Sequence, residues 1–134
     1  MSNTPRTVVV LESRPRWEPE LQRQFVDDRV RVRGCRTVNE LAALVFWSVP
    51  TESTDSASTV KIADTVVMQI SENAAACLQW ITGLAARPQV PAVIALCSTE
   101  SSELEWTLRE AGVREVLIDE HSGERLARCC RHCW

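Results

Sequence analysis

The chain has 134 residues, 45% of them hydrophobic and 25% charged, and a formal net charge of -3 at pH 7. That length suits one domain, residues 1–134, able to bury a core without disulfides or metals, and no segment approaches the ~20 apolar residues of a membrane helix. The acidic balance argues against general nucleic-acid affinity. The N-terminal apolar run ends at Glu12 and Arg14, so it reads as a strand rather than a secretion signal, and a cytoplasmic location is expected.

Thr7 to Leu11 lacks polar alternation and is rich in β-branched residues, as a strand covered on both faces requires. Pro15 and Pro19 bracket a helix start, and Trp17, Leu21 and Phe25 then recur on one helical face. Val30 to Arg33 alternates apolar residues with arginine, the pattern of a half-exposed edge strand. Its Arg29, Arg31, Arg33 and Arg36 form a local basic cluster that reads as a solvated strand edge. Thr37 with Glu40 three residues on begins a helix running through Phe46. Residues 48–59, SVPTESTDSAST, have no apolar period and read as a flexible loop, long for a helix-to-strand connection.

Beyond the loop, Thr65 to Ile70 predicts a strand, Glu72 to Ala86 a helix, and Ala92 to Cys97 a strand. Ser102 to Ala111 predicts a helix stopped by Gly112, followed by a strand over Glu115 to Ile118 and a last helix from about Gly123. Repeated strand-then-helix units fold most simply as a parallel sheet with right-handed crossovers and helices on both faces.

The order of these units resembles the receiver domain of two-component response regulators over nearly the whole chain. "ADTVVMQIS" is similar to the receiver's third strand, with Asp64 and Gln69 where two aspartates are usual; "VPAVIALCS" is similar to the fourth, which ordinarily ends in Thr or Ser and here has Cys97 followed by Ser98. "EAGVREVLIDE" resembles the stretch that ends in Lys-Pro and here ends in Asp119 and Glu120, while "VVVLES" matches a first strand that ordinarily finishes in two acids and here offers Glu12 beside Ser13. The resemblance implies a flavodoxin-like, doubly wound five-stranded parallel sheet of order 2-1-3-4-5.

It also implies a degenerate phosphorylation pocket at Glu12, Ser13, Gln69, Cys97, Ser98 and Asp119. An amide at Gln69 cannot act as the nucleophile of acyl-phosphate chemistry. Asp119 would repel a phosphate where a cation is wanted, and Glu12 with an amide carbonyl makes a poor magnesium site. The expectation is a non-enzymatic pseudo-receiver without cofactor or catalytic residues, acting by contact with a protein partner or with itself. The alternative is a small-ligand binder or enzyme using the pocket at the C-terminal ends of the first and third parallel strands, where open parallel sheets bind ligands. Solvated strand ends in any doubly wound fold account for the same polar residues.

Two further features bear on partners. Trp106 lies about 200° round the helix from Leu104 and should point outward. In receivers the fourth helix, fifth strand and fifth helix commonly form the dimer face, so a homodimer through Trp106, Val116 and Ile118 is expected; Trp17, Trp47 and Trp80 sit in apolar patterns that suit a core. In "RCCRHCW", Cys129, Cys130 and Cys133 suggest zinc or thiol chemistry, but no second Cys pair exists to complete a site. Leu126, Cys129, Cys130, Cys133 and Trp134 form an apolar helical stripe, and packing is the reading adopted, with no metal.

Overall fold

The computed structural model describes residues 5–26, 29–49, 58–118 and 122–134. Five parallel strands, β1 (Arg6–Leu11), β2 (Val30–Cys35), β5 (Thr65–Ile70), β6 (Ala92–Cys97) and β7 (Glu115–Ile118), form one sheet of order β2-β1-β5-β6-β7. Counting the parallel strands alone, this is the expected order 2-1-3-4-5. The central position of β1 follows from its sequence: Val8, Val9, Val10 and Leu11 are all fully buried, because neighbouring side chains enter opposite layers.

Val8 and Val10 pack with α1 (Trp17–Gln24) and α5 (Gly123–His132), through Trp17, Leu21, Leu126, Ala127 and Cys130. Val9 and Leu11 pack on the other face with α2 (Val38–Val45), α3 (Ala74–Gly83) and α4 (Glu105–Ala111), through Leu41, Val45, Cys77, Ile81 and Leu108. Each such side chain contributes about 1.5–3 kcal/mol relative to exposure, so the two layers hold the strand ends in place. Among the described residues no helix is long and apolar enough to cross a membrane.

The helix expected through Phe46 ends at Val45, and Phe46 turns into an extended conformation (φ -124°, ψ 141°). Phe46–Val49 (β3) pairs antiparallel with Ser58–Lys61 (β4), Phe46 facing Lys61 and Trp47 facing Val60. Both ends of the expected 48–59 loop are therefore strand, and residues 50–57 lie outside the described residues. Aromatic and β-branched residues prefer a pleated surface, a preference the surrounding Ser and Thr obscured. The alternation also corrects Trp47: Phe46 turns inward at 8% exposure, whereas Trp47 on the opposite face is 61% exposed. Trp17 is buried as expected, and Trp80 is half-buried against the core, its ring 6.4 Å from that of Phe46.

The expected helix from Ser102 begins as a 3-10 turn over Thr99–Leu104 before α4, and Gly112 ends α4 with φ 114°. No side chain would be crowded there, but an L-residue resists that dihedral. Gly112→Ala is expected to lower unfolding free energy by about 1 kcal/mol, read as a shifted urea midpoint at unchanged slope.

Candidate functional site

A cleft of about 500 Å³ opens at the carboxyl ends of β5 and β6 and reaches the start of α1. Gln69, Cys97 and Ser98 line it, so the structure brings together three of the residues expected at the pocket. Gln69 is half-buried, Cys97 is buried and Ser98 is exposed. Arg16 and Trp17 form another wall and Glu100 joins from the 3-10 turn; the sequence reading named none of these three as pocket residues. Ser13 is exposed and does not line the cleft, and Asp119 lies outside the described residues.

Glu12 requires a correction. Its side chain is buried at 1% exposure and turns to the start of α1 instead of lining the cleft. Oε1 accepts from the backbone N–H groups of Arg16 (3.1 Å) and Trp17 (3.0 Å), and Oε2 from those of Trp17 (3.1 Å) and Glu18 (2.9 Å). A helix start leaves such donors without partners, and the N-cap residue Arg16 makes no side-chain cap of its own. The carboxylate also lies at the positive end of the helix dipole. The backbone of Glu12 is held as well: its N–H donates to Cys35 O at 3.1 Å, and its carbonyl accepts from Arg36 Nη1 at 3.2 Å. Both carboxylate oxygens are engaged in capping, so Glu12 does not serve as the acidic member of the expected pocket. The signal in the sequence is a helix whose start offers no Ser, Thr, Asp or Asn cap.

Among the described cleft residues Glu100 alone carries a carboxylate, and it comes from the exposed 3-10 turn instead of a strand end. Gln69 offers an amide, and the guanidinium of Arg16 stacks on Trp17, 4.6 Å from the ring centroid. Burial, and then the carboxylate of Glu105, push the Cys97 thiol up from its ordinary value, which disfavours the thiolate a nucleophile needs. Among the described residues no group of three or more His, Cys, Asp and Glu could hold a metal ion.

The cysteines of α5 pack: Cys130 is buried, Cys129 and Cys133 are half-buried, and Cys133 Sγ lies 3.3 Å from the carbonyl of Cys129. Burial pushes Cys35 and Cys130 up to about 12 and Cys77 up to about 11, from about 9. These thiols stay neutral in the fold while their unfolded counterparts ionise. Their contribution to stability is therefore complete below pH 9 and is lost progressively as pH rises towards 12. Two outcomes are expected: denaturation midpoints that fall above pH 9, and Cys35 and Cys130 that resist a disulfide reagent at neutral pH until the chain unfolds.

Of the expected interface residues, Trp106 alone is exposed, at 71%. Val116 is buried in the core and Ile118 packs half-buried against it, because β7 turns these side chains under α4. Trp106 borders a shallow groove with Ser102, Glu103, Glu105 and Arg109, in which Glu105 and Arg109 pair at 3.1 Å.

No protein-family model matches the chain, and no curated protein matches it in sequence. Solved structures match it in shape. A response regulator from Thermotoga maritima superposes with a TM-score of 0.72 at 13% identity, covering 97% of this chain and 98% of its own. A CheY-like protein (tadZ) from Pseudomonas aeruginosa PAO1 gives 0.68 at 20% identity, covering 96% and 99%. A putative CpaE2 pilus assembly protein from Sinorhizobium meliloti 1021 gives 0.65 at 16% identity, again covering 96% and 99%. The chain has the receiver fold, at identities that carry the fold alone.

Proposed function

We propose that this chain is a phosphorylation-incompetent receiver-fold module that acts inside the cell by protein contact and not by catalysis. The observation that carries this reading is the chemistry at the strand ends. The position expected to hold the nucleophilic aspartate is Gln69, and the acidic side chain of β1's end, Glu12, is buried as the cap of α1. Neither can supply a nucleophile or a charged metal ligand to the cleft. Contact is supported by Trp106, since an exposed tryptophan beside a groove is the type of residue that anchors interfaces.

The name of one structural neighbour, the putative CpaE2 pilus assembly protein, supports a role in building a protein assembly. A second reading rests on the cleft itself, whose volume of about 500 Å³ suits a small polar ligand.

A magnesium titration followed by tryptophan fluorescence tests the first reading, because Trp17 borders the cleft. No saturable change at millimolar magnesium is expected. A saturable change abolished by Gln69→Ala would contradict it.

A further inference from the structure

We infer that the groove beside Trp106 takes the arginine-bearing edge of a second copy of this chain, a head-to-tail contact that builds open chains. This deepens the contact reading above by naming the partner. Trp106 is 71% exposed, and Glu103, three residues before it, is exposed and makes no ion pair among the described residues. An indole face beside a free carboxylate attracts a guanidinium, by cation–π attraction on one side and a charge-assisted hydrogen bond on the other.

The complementary groups are at the far edge of the sheet. Arg31 and Arg33 are exposed on β2, and neither forms an ion pair among the described residues. Two residues apart on a strand, their Cα atoms are about 6.6 Å apart, close enough for one to stack on the indole while the other meets the carboxylate. Their charge runs against the net charge of -3. β2 is the outermost strand on one side, and α4 packs beside β7, the outermost strand on the other. Four inter-strand spacings of about 4.8 Å put roughly 19 Å of sheet between the two edges, so one molecule cannot satisfy both surfaces by itself. The surfaces differ, so their contact is heterologous, and a heterologous contact grows into a chain unless its rotation closes a ring.

Sedimentation of the full chain tests this. The weight-average mass is expected to rise with concentration past twice the monomer's 15.1 kDa. It should return to the monomer value in about 1 M salt, where the screening length is about 3 Å. Arg31→Glu with Arg33→Glu, and separately Glu103→Ala with Trp106→Ala, should each remain monomeric with unchanged circular dichroism. Mixed one to one, the two variants retain one intact pair of surfaces and should form a dimer that grows no further. An arginine variant that associates like wild type, a closed wild-type dimer, or a mixture that stays monomeric would overturn the inference. So would a wild-type chain that is monomeric at every concentration, as would be expected if the arginines only deter edge pairing. That last result leaves the contact reading standing for a different partner, because the contact reading falls on magnesium or phosphoryl uptake at the cleft.

Discussion

Glu12→Ala is expected to destabilise the fold by about 3–4 kcal/mol, lowering the melting temperature by roughly 10 °C. The buried carboxylate accepts from three consecutive backbone N–H groups, and alanine would leave them without a partner at the start of α1. A hydrogen bond to a charged group contributes about 1.5–3 kcal/mol, and water reaches this position poorly, Trp17 being buried beside it. Glu12→Gln keeps one acceptor but turns an NH2 group towards a backbone donor, so about half the loss is expected. A solvated strand-end residue, or a ligand waiting for a metal, would behave oppositely: removing its charge would leave stability unchanged or raise it. Guanidinium denaturation of the two variants separates these cases.

Trp17→Ala carries a comparable cost, about 3–5 kcal/mol, because the indole is 4% exposed and packs in the layer formed by α1, α5 and β1. Trp17 also donates its backbone N–H to both oxygens of Glu12, so the two residues hold the same helical turn. Their double variant should lose less than the sum of the single losses. The substitution acts on the cleft as well, since Arg16 loses the ring on which it stacks and one wall recedes. A loss below about 1 kcal/mol would mean that the indole contributes little packing.

The parts of the fold legible in the sequence are those with a long, consistent period. Val8 to Leu11 announced a strand buried on both faces, the spacing of Trp17, Leu21 and Phe25 announced a helix face, and Trp106 lay opposite Leu104 and Leu108. The hairpin of β3 and β4 was not legible, because its strands are four residues each and flank a Ser- and Thr-rich stretch. Pairing across that stretch is a tertiary event, and it also set Trp47 outward against its local pattern. Val116 failed as an interface residue for a related reason. It was expected there from the dimer face of the receivers the chain resembles, yet α4 covers the face that Val116 occupies.

At the site, residue types spoke more clearly than residue roles. The amide at Gln69 and the thiol at Cys97 do meet at one cleft, as their strand-end positions implied. Glu12 did not, because a side chain that caps a helix from outside it is recognised only when the start of that helix is seen to lack another acceptor. The same bonds that correct its role strengthen the functional reading, since the acidic group at the end of β1 is committed to the fold.

Incubation of the purified chain with acetyl phosphate and magnesium, read by intact mass, decides whether the strand ends take up a phosphoryl group. Acyl-phosphate formation needs a carboxylate nucleophile at the strand ends, which Gln69 lacks and the buried Glu12 cannot present, while the cleft's Glu100 stands on an exposed 3-10 turn. The expected result is an unchanged mass at every time point. A stable gain of one phosphoryl group, mapped to the strand ends around Gln69, would show a working receiver and overturn the proposed function.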